Sequence, residues 1–270
     1  MSEITNAIFT YGFLSRALIV GLLISVCAAV LGVILVLKRY SMIGDGLSHI
    51  SFGALAFASV MGFAPLSVAL PVVAAAAVLL LRLGGKKIKG DSLIAIISSS
   101  ALAIGIMLIS YSGTSADMNS YLIGSLYAIS KNDMAMAIAL CVCVMIVFTL
   151  LYNRIFCITF DEDFASATGI KVNLYNTIVA VLIAVTVVIG MRLMGALLIS
   201  ALIVFPALSA MRVFKSFKAV TISSAVISVV SFLIGFCLTL WWDSVPTGTC
   251  ITLVNLVIFV ILSIAEKIRN

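Results

Sequence analysis

Charge is scarce in this chain. Asp, Glu, Lys and Arg together make 10% of its 270 residues, against about 25% in an ordinary soluble domain, and there is one histidine, His49. With 64% hydrophobic residues and a mean hydropathy of +1.33, the chain falls in the membrane class, and its short polar joints leave no room for a separate soluble domain. Cys-x-x-Cys pairs are absent. Cys27, Cys141, Cys143, Cys157, Cys237 and Cys250 lie in or beside apolar segments, where they read as small hydrophobes and not as disulfides or a zinc cluster. A P-loop is also lacking: Gly85-Lys86 has Leu80 where the first glycine of Gly-x-x-x-x-Gly-Lys-Ser/Thr belongs, so the chain cannot cradle ATP phosphates that way. The eleven methionines are scattered through apolar segments, which points to core packing and not to copper.

What is present is a succession of segments near the roughly 20 residues a bilayer-spanning helix needs. The reading is all-α, a polytopic helix bundle of about nine spans, with eight as the alternative count, forming one transmembrane domain over 1–270. The expected spans are 11–37, 42–62, 65–82, 92–111, 134–152, 174–190, 193–211, 219–240 and 247–265. The first lacks a basic n-region and a small-residue cleavage site and is expected to be a span, not a signal peptide. Ala101 and Gly105 form a small-x-x-x-small pair suited to close packing. Residues 121–130 are apolar but half a span long, so this stretch is expected to dip into or lie on the membrane. A tight turn is expected near Gly190-Met191-Arg192, Pro206 should kink its span, and Trp241 and Trp242 should anchor at the interface. The net charge of +6 reflects topology and not nucleic acid. With the N-terminus outside and the C-terminus cytoplasmic, 13 of the 16 basic residues fall inside, leaving Arg16, Lys131 and Arg192 outside.

Two stretches carry chemistry. In Met42-Ile43-Gly44-Asp45-Gly46-Leu47-Ser48-His49-Ile50-Ser51-Phe52-Gly53, helical spacing stacks Asp45, His49 and Gly53 on one stripe. An intramembrane ionisable pair is a functional-site hypothesis by default; the alternative is a structural hydrogen bond that fixes helix packing. In Phe160-Asp161-Glu162-Asp163-Phe164-Ala165-Ser166-Ala167-Thr168-Gly169-Ile170, three acids interrupt a basic face. They suit the N-terminus of a short helix that Gly169 stops, while Phe160 and Phe164, four apart, suggest a helix offered to a partner's groove.

These two stretches, together with Tyr121–Asp133 and Met194-Gly195-Ala196-Leu197-Leu198-Ile199-Ser200-Ala201-Leu202-Ile203-Val204-Phe205-Pro206-Ala207, resemble the metal-ion permease family of ATP-binding-cassette importers, whose members carry zinc, manganese or iron. The resemblance runs nearly the length of the chain. It implies the fold shared with cobalamin and siderophore permeases, a plasma or inner membrane of prokaryotic type, and a permease that works as a homodimer. It further implies two cytoplasmic ATP-binding subunits and an external metal-binding protein as partners. On that resemblance 160–170 corresponds to the coupling helix, with Phe160, Asp161, Glu162, Asp163, Phe164 and Gly169 at the ATPase contact, and Asp45 and His49 fall where the family handles the ion. The expected function is import of a divalent transition metal, without an enzyme activity or cofactor in this subunit; ATP belongs to the partner.

Imidazole and carboxylate suit zinc, manganese and iron, and remaining ligands are expected from water, Ser48, Ser51 or a second copy. Asp243 is either an outer-mouth residue or a solvated acid. A permease for a metal chelate and a stand-alone secondary transporter are the alternatives, and the second lacks the matching broken helices of inverted repeats. An intramembrane aspartyl protease would need a second intraspan aspartate, and Ser48 and His49, being adjacent, face apart on a helix.

Overall fold

A computed structural model describes residues 12–83, 90–112, 124, 129–241 and 245–269. Among them all regular structure is helical: α1 (Gly12–Leu37), α2 (Ile43–Met61), α3 (Pro65–Leu83), α4 (Gly90–Ser112), α5 (Lys131–Leu150), α6 (Tyr152–Phe160), α7 (Glu162–Ala167), α8 (Val172–Met194), α9 (Ala196–Val213), α10 (Phe217–Trp241) and α11 (Thr247–Arg269). Eight of these are long and apolar enough to cross a membrane, so the chain is a multi-pass membrane protein. The ninth long helix, the 19-residue α2, falls short of that apolarity, and it carries Asp45, Ser48, His49 and Ser51. It still belongs to the traverse. Lys38, before α2, and Arg82, near the end of α3, hydrogen-bond to neighbouring residues at the start of α8, Asn176 and Thr177, so α2 leads away from one end of the bundle and α3 leads back.

Helices α1 and α8 form the centre, each with 72% of its span buried, whereas α3, α4 and α11 bury 22% and present apolar side chains outward. Without a hydrophobic drive between helices in lipid, close approach and polar glue hold such a bundle. On α10, Ser228 Oγ donates to Ser25 O at 2.9 Å and Ser224 Oγ to Ala29 O at 3.2 Å, both across to α1. Between α2 and α4 the backbones nearly touch: a methyl on Gly53 would sit 2.5 Å from the Ala101 carbonyl oxygen, and one on Gly105 would sit 2.9 Å from Gly53 Cα. The small pair expected at Ala101 and Gly105 therefore does pack closely, with Gly53 as its counterpart.

The ends of the bundle differ in chemistry. Lys38, Arg82, Glu162, Asn176, Arg212 and Glu266 gather at one end, where Arg212 pairs with Glu266 at 3.1 Å. At the other, Arg16 Nε donates to Ile129 O at 3.1 Å and Arg192 lies 3.5 Å from Asp133, whose side chain closes a capping box with Ser130 at the start of α5. The expected turn at 190–192 lies elsewhere: α8 runs on to Met194 and breaks at Gly195, φ +92, a conformation open to glycine. Pro206 lies inside α9 without ending it; it has no N–H to give the Leu202 carbonyl. The basic loop Lys86-Lys87-Ile88-Lys89, most of 121–128, Trp242 and Asp243 lie outside the described residues.

Candidate functional site

Helix α2 begins between two neighbours that meet it at glycines. A methyl on Gly44 would meet Ile203 of α9 at 2.9 Å, and one on Gly46 would meet Ile94 of α4 at 2.5 Å. Gly-Asp-Gly thus lets the first turn of α2 wedge between α9 and α4 with Asp45 between the two contacts. The helix dipole favours a carboxylate in that first turn. One turn on, His49 Nε2 lies 3.5 Å from Asp45 Oδ2, the stacking expected from their spacing. Asp45 keeps 47% of its side chain exposed in the single chain, and His49 keeps 26%.

Around the pair, polar atoms are partly spoken for. Ser48 Oγ donates to the Asp45 backbone carbonyl at 2.7 Å, whereas His49 Nδ1 and Ser51 Oγ are buried and have no hydrogen-bond partner among the described residues. Asp45 opens onto a groove of about 290 Å³ whose walls include Met42, Leu197, Ser200, Val204, Phe205 and Thr252. The Met194–Ala207 segment, 150 residues away in sequence, is the wall opposite Asp45. Among the described residues no group of three or more His, Cys, Asp and Glu comes together, so Asp45 and His49 stand as a two-member donor set.

The second stretch also folds by local rules. Asp161 caps α7, its Oδ1 accepting from Phe164 N at 2.8 Å, and Gly169, φ +81, stops the turn while Ile170 N reaches back to Ala165 O at 3.0 Å. Glu162, half-exposed, leans on the bundle: its Oε1 accepts from Lys38 Nζ at 2.6 Å and Asn176 Nδ2 at 3.1 Å. Burial pushes the Glu162 carboxyl up, but the Lys38 and Asn176 hydrogen bonds and the lysine charge outweigh it and hold the group below the usual carboxylate range. Asp163 is exposed. Phe160 and Phe164 stand on different helices: Phe160 ends α6, its ring 5.0 Å from that of Phe156 and 6.1 Å from that of Phe217, and Phe164 stands on α7, yet both are exposed, 58% and 59%. Lys38 and Asn176 escaped the sequence reading because nothing local links them to Glu162; the only signal was a basic pair at the end of a span.

The whole chain has known relatives. Residues 10–266 match the ABC 3 transport family. The chain is 30% identical over 275 residues, 100% of its length and 97% of the relative's, to the manganese import system permease protein ScaB of Streptococcus gordonii. It is 27% identical over 261 residues, 96% of its length and 92% of the relative's, to a Haemophilus influenzae protein named "Probable iron transport system membrane protein". Its fold superposes with a TM-score of 0.87 and 26% identity, over 100% of this chain and 99% of the other, on a chain of PsaBC from Streptococcus pneumoniae in complex with Fab. An all-helical bundle of apolar spans and a match over nearly its full length place this chain in the ABC 3 transport family.

Proposed function

We propose that this chain is the permease subunit of an ABC importer that moves a divalent transition-metal ion, zinc, manganese or iron, into the cytoplasm. One observation carries the reading: Asp45 Oδ2 and His49 Nε2 lie 3.5 Å apart on α2, within a bundle of apolar spans. Two donors about 2.0–2.2 Å from one ion in a tetrahedral arrangement are separated by roughly 3.4 Å, so the pair needs little movement to share an ion. Two donors bind weakly enough to release what they bind, as a transit site must. The half-exposed Asp45 cannot face lipid, which supports a second copy of the permease covering the groove and contributing to the site. An external metal-binding protein delivers the ion at the opposite end from α7.

The end bearing Lys38, Arg82, Arg154, Lys171 and Arg212 faces the cytoplasm, by the usual bias of positive charge. There α7 is the coupling helix, and the exposed Phe164 enters a groove on the ATP-binding subunit, the source of energy for a chain without a P-loop. The test is uptake of radioactive manganese, iron and zinc by cells carrying the permease with its ATP-binding subunit. One metal should enter with wild type and not with His49→Ala at equal membrane abundance; uptake indifferent to His49 would remove the pair from the path.

A further inference from the structure

Lys38, Glu162 and Asn176 close a triangle where three helices meet. Lys38 Nζ donates to Glu162 Oε1 at 2.6 Å and to Asn176 Oδ1 at 2.7 Å, and Asn176 Nδ2 donates to Glu162 Oε1 at 3.1 Å. The lysine side chain is only 9% exposed. A charge buried to that degree is costly unless paired, and movement of α7 away from Lys38 would leave Asn176 as its remaining partner in the triangle. Beside the triangle, a cavity of about 330 Å³ between Leu37, Arg39 and Tyr40 on one side and Ile158 and Phe160 on the other leaves space for α7 to shift.

From Lys38 the chain runs seven residues to Asp45, tied turn by turn. Arg39 N donates to Val36 O at 3.0 Å, Tyr40 N to Leu35 O at 2.8 Å, Ile43 N to Tyr40 O at 3.0 Å and Gly46 N to Met42 O at 2.9 Å. At the bend Arg39 adopts φ +62, the one non-glycine residue with positive φ among those described. Left-handed backbone at an arginine costs of order 1–2 kcal/mol and persists only where the surroundings over-determine it. The connector is therefore stiff, and a displacement at Lys38 reaches the first turn of α2.

We propose that the Lys38–Glu162–Asn176 triangle is the clasp through which movement of α7 is passed to Asp45 and His49, with Lys38 as the positioning residue. The proposal rests on α7 being the coupling helix. Glu162, bonded to Lys38 and Asn176, serves the clasp, while Phe164 serves docking, so the two roles can be tested apart.

The experiment uses the complete transporter, permease with ATP-binding subunit, in lipid vesicles with the metal-loaded external protein, and reads ions moved per ATP hydrolysed. Lys38→Met should keep the ATP-binding subunit bound and hydrolysing while ions per ATP fall roughly three- to tenfold, the scale of changes along a coupling network. The swap Lys38→Glu with Glu162→Lys should recover most of that loss, which a generally loosened fold would not. If Lys38→Met fails to accumulate, Asn176→Ala, which leaves the ion pair but opens the triangle, gives the same readout with a smaller fall. An unchanged ratio in the variant that accumulates overturns the clasp, as does loss of the ATP-binding subunit from Lys38→Met. Phe164→Ala is run in parallel: if it leaves the subunit bound and hydrolysis normal, the docking assignment falls, independently of the Lys38 result.

Discussion

Substituting Gly53 tests whether contact between α2 and α4 sets the position of the Asp45–His49 pair. A methyl at Gly53 would lie 2.5 Å from the Ala101 carbonyl oxygen, where ordinary contact is 3.4–4 Å, so the helices must part by about 1 Å. A backbone carbonyl inside a helix cannot swing aside as the end of a flexible side chain can. Opposing this, alanine is worth about 1 kcal/mol over glycine in a helix interior. Overpacking costs about 1–3 kcal/mol, so Gly53→Ala should lose up to about 2 kcal/mol net. Gly53→Val, which adds two more carbons and gains less helix propensity, should lose most. The assay is the thermal unfolding midpoint of the permease purified in detergent, with metal uptake measured on the same variants. Gly12→Ala is the control, since nothing lies within 4 Å of its added methyl. The midpoint should fall in the order wild type, Ala, Val, and uptake should fall more steeply than abundance, because Gly53 lies one turn beyond His49. A Gly53→Val midpoint equal to wild type would refute the close-contact argument.

If Asp45 and His49 hold one ion, Asp45→Asn and His49→Gln should each lower uptake at least about tenfold and the double variant scarcely further, since members of one site are not additive; multiplying losses would show two separate sites. Because the Glu162 carboxyl is held below its ordinary value of 4.5, its stabilising contribution is present above that value and lost as pH falls through the folded one. The difference in thermal midpoint between wild type and Glu162→Gln should thus be constant from about pH 7 to 5.5 and shrink below about pH 4.5; a difference that grows with acid would reverse the assignment. Asp161→Ala removes the cap of α7 and should cost about 1 kcal/mol of local stability, read as faster amide exchange at Phe164. Protection at Phe164 equal to wild type would show that the cap is dispensable.

The parts of this molecule legible in sequence are those governed by near neighbours. Apolar runs marked the spans, helical spacing stacked Asp45 on His49, and Asp161 and Gly169 announced the two ends of α7 through capping chemistry. Where the break between α8 and α9 falls was less legible, because Gly190 and Gly195 both permit it. Packing decided: Gly190 is filled against Ile199 and Ile24, and Gly195 takes the left-handed turn. That Phe160 and Phe164 belong to two helices and not one was likewise hidden from local spacing. The Asp161 cap separates α6 from α7, so the two rings stand on different helices, both of them exposed.

By itself, then, the sequence determined a helical membrane bundle, a carboxylate and an imidazole on one helix stripe, and a capped acidic helix beyond the spans, since each depends on spacings within about four residues. Only the tertiary structure decided what those pieces face. It set the Met194–Ala207 segment opposite Asp45 and Lys38 against Glu162, 124 positions away, because which helices become neighbours depends on glycine contacts and buried charge between segments that no local pattern connects.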